Sequence, residues 1–211
     1  MNQKGEASMQ DITTNYYNTN AKAFIEGTMA ADVSNLRERF LKYVPREGYI
    51  LDWGCGSARD SLAFMERGLK VDAVDKSKEL CELARLNLGL TVDNQDFLEL
   101  EAVDKYDGIW ACASLLHASR EELPDIFRIA RRALKLEGVI YASFKYGDFE
   151  GERNGRYFTD MTLEVFEQIL HKINRTEDRY KLELTENWIT CDVRESRGDE
   201  KWLNLILKKV D

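Results

Sequence analysis

The sequence predicts an α/β protein in which a doubly wound, mostly parallel sheet carries helices on both faces. Two observations predict this class. From residue 50 to residue 144, short apolar stretches typical of buried strands alternate with amphipathic stretches of helical period. This alternation requires crossover connections, which give parallel strands covered on both faces. Ligands of such sheets bind beyond the carboxyl ends of the strands, so we expect the functional site there.

Composition and charge indicate one globular unit. The chain has 211 residues, of which 44% are hydrophobic and 32% charged, and its formal net charge is −8. An acidic surface repels phosphate backbones and anionic lipids, so we expect no nucleic-acid partner and no membrane insertion. The four cysteines have no metal-site spacing, and the chain does not begin with an apolar signal segment. We therefore predict no metal site and a cytoplasmic location.

The first 45 residues are predicted to form an arm followed by helices, and residues 46–211 the main domain, within one structural unit. Residues 1 to about 15 are polar and are expected to fray. From Thr19 to Val44 the apolar pattern is helical, and Pro45 ends it.

Residues 50–61 are predicted to form a strand, a glycine turn and the start of a helix. Gly54 and Gly56 lack a Cβ, so the backbone can turn closely against a ligand and present its N–H groups. Ser57 and Asp60 have the spacing of a capping box, which predicts where the helix begins. The segment is therefore predicted to be a ligand cradle.

Two carboxylates and a missing glycine indicate the ligand. The dinucleotide fingerprint requires a third glycine where this chain has Arg59. Asp52 precedes the turn, where it would repel a pyrophosphate and attract an ammonium group. Asp75 ends the next strand, about 20 residues beyond Gly56, where an acid binds ribose hydroxyls. A ligand with an amine and a ribose but no phosphate between them is predicted, and S-adenosylmethionine fits.

Five motifs in order resemble those of the class I S-adenosylmethionine-dependent methyltransferases, and small bacterial tellurite-resistance-like and quinone-biosynthesis-like members are the most similar. The motifs are ILDWGCGSARD, VDAVDKS, NQDFLEL, YDGIWACASLLHAS and LKLEGVIYASF. The resemblance implies a Rossmann-like, seven-stranded sheet whose last strand is antiparallel. It also implies S-adenosylmethionine as cofactor, S-adenosylhomocysteine as product and N-terminal helices that cover the cofactor.

The resemblance also assigns cofactor-binding roles. It implies that Asp96 and Phe97 bind adenine, although this pair also suits a strand end with a core ring. Arg59 is equally compatible with binding the ligand carboxylate and with a surface position, and Tyr17 with facing the sulfonium and with anchoring the arm. The predicted cofactor-binding residues are Tyr17, Asp52, Gly54, Gly56, Arg59, Asp75, Lys76, Asp96, Phe97 and Ala111.

The predicted acceptor side is less specific. His117 follows the fourth strand and is the candidate general base, with a structural hydrogen-bonding histidine as the alternative. Residues 146–160 are rich in glycine and charge and lack an apolar period, which predicts a loop at the ligand-binding edge. Lys145, Arg153, Arg156 and Tyr157 could bind an anionic substrate or help to order the lid, and Lys145, Arg156 and Tyr157 are the candidate substrate-binding residues. The alternative is a solvated charged loop.

The end of the chain is predicted to close the sheet. A helix over Leu163–His171 is followed by two alternating stretches, Tyr180–Thr190 and Trp202–Leu207. The turn signal at Ser196–Asp199 makes them a hairpin, and this hairpin agrees with the implied antiparallel last strand.

A small-molecule acceptor is favoured over DNA. Family members that methylate amino groups of DNA bases carry an Asn/Asp-Pro-Pro-aromatic motif after the fourth strand, and the only prolines here are Pro45 and Pro124. The predicted function is in-line methyl transfer to a small molecule. The alternatives are a non-catalytic S-adenosylmethionine-binding regulatory domain and a nicotinamide oxidoreductase, the second disfavoured by Asp52 and the missing glycine.

Overall fold

The computed structural model describes residues 9–175, 178–194 and 197–211. The helices in these ranges are α1 (Met9–Met29), α2 (Ser34–Leu41), α3 (Arg59–Met65), α4 (Lys78–Leu88), α5 (Leu123–Ala133) and α6 (Leu163–Asn174). The strands are β1 (Tyr49–Trp53), β2 (Lys70–Asp75), β3 (Val92–Asn94), β4 (Tyr106–Ala111), β5 (Leu134–Lys145), β6 (Glu150–Arg153), β7 (Arg156–Thr159), β8 (Lys181–Cys191) and β9 (Lys201–Val210).

Seven of these strands form one sheet in the order β3-β2-β1-β4-β5-β9-β8. Strands β1 to β5 pair in parallel, whereas β9 is antiparallel to both of its neighbours. The chain winds from β1 outward to β3 and then returns to β4 on the other side of β1. The predicted fold class is therefore confirmed, and the switch in strand order lies between β1 and β4.

Side-chain alternation along the buried strands divides the core into layers on the two faces of the sheet. Leu51 and Ile109 pack on one face, in the cluster that includes Phe127 of α5. On the other face Trp110 stacks on Tyr141 at 4.1 Å between ring centroids. Both faces are thus covered by helices, as a parallel sheet requires.

The N-terminal segment is more ordered than its polar sequence predicts. Residues 9–15, expected to fray, belong to α1, and residues 1–8 lie outside the described residues. The two halves of α1 meet at a kink at Asn20, which has non-helical dihedral angles. Helix α1 packs against α4 and β7. Tertiary packing therefore stabilises a helix that its own sequence signals only weakly.

The prediction of a loop over residues 146–160 is wrong, because β6 and β7 form an antiparallel hairpin there. Asn154 and Gly155, with φ of 55° and 73°, connect the paired residues Arg153 and Arg156. Two positive φ angles in a two-residue connection define the type I′ turn that Asn-Gly favours. The charged hairpin stands at the ligand-binding edge of the main sheet.

The chain after α6 forms the predicted hairpin of β8 and β9. Ser196 of the predicted turn lies outside the described residues. No helix within the described part of the chain is long and apolar enough to cross a membrane. The same residues contain no group of three or more His, Cys, Asp or Glu side chains arranged to hold a metal ion.

Candidate active site

A cavity of about 360 Å³ lies at the carboxyl ends of the parallel strands, where the strand order switches, and α1 lies over it. This is where ligands bind in doubly wound sheets. The structure brings twelve of the fourteen predicted site residues to its wall. They are Tyr17, Asp52, Gly54, Gly56, Arg59, Asp75, Lys76, Asp96, Phe97, His117, Lys145 and Arg156.

The glycine turn forms the floor of the cavity. The amides of Gly54 and Cys55 both donate to the carbonyl of Val74 at 2.9 Å, which fixes the turn against β2. Gly54 has φ of 80°, and a Cβ there would lie 2.5 Å from the Cβ of Ser114. Only glycine fits this position, because the turn packs closely against Ser114.

The helix after the turn does not begin with the predicted capping box. Ala58, with φ of 56°, precedes α3, and no side chain caps this end. Asp60 is instead buried, where it accepts hydrogen bonds from Trp110, Arg37 and Arg59. Burial alone would raise the pKa of Asp60, but these partners hold it below its ordinary value.

Asp52 is a buried carboxylate without a cationic partner within ion-pair distance in the described residues. The hydroxyl of Ser61 donates to it at 2.5 Å, and 3% of the residue surface is exposed. Burial and the nearby charge of Asp60 raise the pKa of Asp52 to about 7. A ligand ammonium group would supply the missing positive charge and favour the ionised form.

Asp75 stands one strand away, at the end of β2. Its two carboxylate oxygens accept hydrogen bonds from the amides of Gly56 and Ser77, each at 2.8 Å. Burial raises the pKa of Asp75 above its ordinary value. Each oxygen keeps a lone pair that can accept a hydroxyl, so the carboxylate is oriented by the backbone and still able to bind a ribose diol.

Asp96 and Phe97 follow β3. Asp96 caps a short 3-10 turn by accepting the amide of Leu98 at 3.1 Å, and it forms an ion pair with Lys76 at 2.5 Å. Phe97 packs edge-on against Trp53 at 5.2 Å between ring centroids. The pair therefore has a structural role and also lines the cavity, while its binding of adenine stays a prediction. Lys76 is engaged by Asp96.

Arg59 lines the cavity, but most of its hydrogen-bonding capacity is used within the protein. Its guanidinium donates to both carboxylate oxygens of Asp60 and to the carbonyls of Thr28 and Ala31. Because Thr28 lies in the last turn of α1 and Ala31 just beyond it, Arg59 anchors that end of α1 to the cradle. A role toward the ligand carboxylate stays a prediction.

His117 has both ring nitrogens engaged. Nδ1 lies 2.7 Å from the carbonyl oxygen of Tyr157 and must therefore carry the proton. Nε2 then accepts the hydroxyl of Tyr17 at 2.8 Å. Desolvation, together with the charge of Arg156, lowers the pKa of His117 to about 4. The histidine is neutral at physiological pH, and its hydrogen bond fixes the position of the Tyr17 hydroxyl on α1.

Two predicted site residues do not reach the cavity with their side chains. Ala111 is buried within β4, and Cys112 and Ala113 line the wall instead. The Tyr157 ring points to the other side of β7, where its hydroxyl donates to Glu150 at 2.9 Å. Tyr157 contributes its backbone, since its carbonyl accepts from His117 and its amide donates to Thr13 of α1.

Several wall residues were not predicted. Helix α1 contributes Thr13, Phe24 and Thr28, which its weak helical pattern does not single out. Others come from distant segments that the topology brings together, and apart from Ser143, which lies in the fifth motif, no motif marks them. They are Ser143, Phe158, Thr190, Asp192, Arg194, Arg197, Trp202 and Asn204.

Comparisons with known proteins agree with this fold and site. Residues 50–138 match the family described as "Methyltransferase domain". The Bacillus subtilis (strain 168) protein "Putative methyltransferase YqeM" is 27% identical in an alignment of 116 positions that covers 50% of this chain. The chain spans about half the length of that curated relative, since the match covers 47% of it.

Two solved structures show how widely the fold is shared. The 1,6-didemethyltoxoflavin-N1-methyltransferase of Burkholderia thailandensis superposes with a TM-score of 0.76, covering 100% of this chain and 94% of its own at 18% identity. The [4+2]-cyclase SpnF superposes with a TM-score of 0.71, covering 96% of each chain at 14% identity. At these identities the likeness shows the fold alone.

The family match covers the glycine turn and four of the five motifs in full, and the fold agrees over the whole chain. The sequence resemblance is therefore confirmed at the level of the family, while the subgroup within it stays a prediction. Residues 50–138 are thus a methyltransferase domain, and this domain supports the resemblance of the chain to the class I S-adenosylmethionine-dependent methyltransferases.

Proposed function

We propose that this chain transfers the methyl group of S-adenosylmethionine to a small-molecule acceptor. One observation carries the proposal: two carboxylates on neighbouring strands, the buried Asp52 and the half-buried Asp75, flank the glycine turn. Asp52 suits an ammonium group and Asp75 a ribose diol. Arg59 stands where the dinucleotide fingerprint requires a third glycine, and Asp52 would repel a pyrophosphate at this turn, which disfavours the nicotinamide alternative.

The described residues fit the remaining parts of the cofactor. Gly54 lines the cavity without a side chain, so the methionine part can approach its backbone closely. Phe97 offers an apolar ring and Asp96 an acceptor for the adenine end. Tyr17 and Phe24 close the cavity from α1 with aromatic faces, which attract cations such as a sulfonium.

The protein's contribution to the reaction is orientation and exclusion of water. The bound sulfonium supplies an activated methyl group and departs as a neutral thioether. Holding the acceptor in line with that methyl group accounts for roughly 7–11 kcal/mol of barrier lowering in well-oriented reactions. Helix α1 supplies the cover, held at one end by Arg59 and in its middle by the Tyr17–His117 hydrogen bond.

His117 acts as a positioning residue in this proposal. Its Nε2 already accepts the Tyr17 hydroxyl, and its lowered pKa makes it a weak base. Methyl transfer needs a base only when the acceptor must lose a proton, so a thiolate or another anionic acceptor reacts without one. The predicted general-base role of His117 is the alternative that mutagenesis decides.

A small acceptor is supported by the size of the cavity, about 360 Å³, over which α1 lies. The B. thailandensis neighbour is an example of this fold with a bound small molecule, since its structure contains 1,6-didemethyltoxoflavin together with S-adenosylhomocysteine. The fold by itself does not imply methyl transfer, since it also includes a protein named as a cyclase. The alternative of a non-catalytic cofactor-binding domain is therefore kept.

Calorimetry with S-adenosylmethionine and S-adenosylhomocysteine tests the cofactor, with NADH as the comparison ligand. We expect both sulfur compounds to bind and NADH not to bind. Absence of binding at millimolar S-adenosylhomocysteine contradicts the proposal. Methyl-labelled cofactor incubated with a metabolite extract then separates catalysis from simple binding, since a binding domain leaves no label on any small molecule.

A further inference from the structure

Charge is distributed unevenly along the cavity wall. Asp52, Asp75 and Asp96 lie at the carboxyl ends of β1, β2 and β3, on one side of the switch point, where Arg59 and Lys76 are paired with Asp60 and Asp96. On the other side, cations outnumber the carboxylate of Asp192 among the described wall residues: Lys145 ends β5, and Arg156 starts β7. Arg194 and Arg197 belong to the turn between β8 and β9. The chain as a whole has a net charge of −8, so the positive charge at this cationic end is a local feature of the cavity.

Arg156 differs from its neighbours in lacking a carboxylate. Lys145 pairs with Glu200, Arg153 with Asp160, and Arg194 with Asp192. Within the residues that the structure describes, no carboxylate oxygen lies within 4 Å of the Arg156 guanidinium. Its Nε is buried without a hydrogen-bond acceptor in the same set. A buried guanidinium nitrogen without an acceptor is costly unless a ligand supplies one.

Aromatic rings hold the Arg156 guanidinium in place. Its carbon lies 4.5 Å from the ring centroid of Tyr16, 5.0 Å from that of Phe158 and 5.9 Å from that of Tyr17. Such contacts fix the orientation of the planar group without neutralising its charge. Because Tyr17 also faces the cavity and binds His117, Arg156 lies beside the group that closes the site.

From this arrangement we infer that the methyl acceptor is a small organic anion whose carboxylate or phosphate is bound by Arg156. The inference rests on the proposed function, since it names the substrate class of that site. The guanidinium presents paired N–H donors suited to either oxyanion. Phe158 and Trp202 supply apolar wall at the same end for the body of the molecule. Arg194 and Lys145, already paired, add positive potential.

The experiment uses the protein saturated with S-adenosylhomocysteine and three probes of similar shape: benzoate, its neutral isostere benzamide, and phenyl phosphate. NMR titration gives the affinity of each. We expect at least one anion to bind about tenfold or more tightly than benzamide, because charge-assisted hydrogen bonds are stronger than neutral ones. The anion with the larger ratio distinguishes a carboxylate from a phosphate acceptor.

The variants Arg156→Gln and Arg156→Lys are compared with the control Arg153→Gln. Arg153 lies on the same hairpin and contacts the same Phe158 ring, but it is bound to Asp160 and does not line the cofactor cavity. We expect Arg156→Gln to reduce the anion-to-benzamide ratio to about one, Arg156→Lys to keep part of it, and Arg153→Gln to leave it unchanged.

The ratio separates binding from a structural role, because a disturbed hairpin weakens anion and amide alike. A ratio near one in the unmodified protein, or an unchanged ratio in both Arg156 variants, overturns the inference while cofactor binding stands. A ratio lost equally in Arg153→Gln also overturns it, since the effect is then general electrostatics. Failure of S-adenosylhomocysteine to bind overturns the proposed function itself.

Discussion

The two ends of the cavity are built differently. At the proposed cofactor end, Asp52 and Asp75 lie in the last residues of two parallel strands that are hydrogen-bonded to each other, and backbone amides orient Asp75. At the cationic end described above, which is the proposed acceptor end, Arg156 comes from the two-stranded hairpin and Arg194 from the turn between β8 and β9. The first end is fixed by the sheet, and the second is carried by segments appended to it. Changes at the two ends should therefore affect different steps.

The largest effect is expected at the cofactor end, from Asp52→Asn. Removing one partner of a buried charge pair costs about 2–5 kcal/mol, so the affinity for S-adenosylhomocysteine should fall at least about 30-fold. Calorimetry measures this change. The control is Asp93→Asn, because Asp93 is exposed on the neighbouring β3 and does not line the cavity. Equal affinities in Asp52→Asn and the unmodified protein would remove the ammonium-binding role.

The pH dependence of cofactor binding should report the same carboxylate. The pKa of Asp52 is about 7 in the free protein, and the ligand ammonium favours its ionised form. Affinity should therefore be full above pH 7 and fall as pH decreases, by about tenfold from pH 8 to pH 6. Asp52→Asn should bind weakly with no such slope. A flat profile in the unmodified protein would contradict the raised pKa.

A smaller effect is expected where α1 meets the acceptor end, from Tyr17→Phe and His117→Ala. Each variant removes the Tyr17–His117 hydrogen bond, worth about 1 kcal/mol, so turnover should fall about fivefold in either and no further in the double variant. At saturating cofactor, the pH dependence of the rate between pH 5.5 and 8 should be the same in these variants as in the unmodified protein. A loss of about 100-fold or more in His117→Ala alone would instead establish the general base.

The two ends of the cavity also differ in how well the sequence predicts them. The cofactor end is predictable because the strand, the turn and the acid are contiguous in the chain, so the spacing of Gly56 and Asp75 carries over into space. At the acceptor end, contacts between β5 and β9 depend on long-range topology, which a local pattern does not encode. No local pattern therefore marks Arg194 and Trp202 as cavity residues, whereas local patterns do predict the fold class.

One error at the acceptor end is avoidable from the sequence. Residues 146–160 include Asn154-Gly155, the strongest short hairpin signal, and flanking alternation follows from it. Successive residues of a strand face opposite sides, so Arg156 and Phe158 share one face and Tyr157 takes the other. Interpreting the segment as a loop discards that alternation and therefore places Tyr157 at the cavity with Arg156.

The smallest change should come from the hairpin turn, through Gly155→Ala. Gly155 has φ of 73°, where an L-residue costs about 1–2 kcal/mol, and a Cβ there would lie 3.3 Å from the Tyr16 ring. We expect a melting temperature lower by about 2–8 °C. The affinity for S-adenosylhomocysteine should change less than about twofold, because the sheet holds the cofactor end. Benzoate, the anionic probe of the acceptor end, should bind more weakly.

Gly27→Ala is the matched control for this turn variant. Gly27 lies in α1, and a Cβ there would meet no heavy atom within 4 Å, so alanine should raise stability by up to about 1 kcal/mol. Both variants add one methyl group, and only one of them strains the hairpin. If Gly155→Ala weakens S-adenosylhomocysteine as much as benzoate, the two ends of the cavity are mechanically coupled through α1, and the division between them fails.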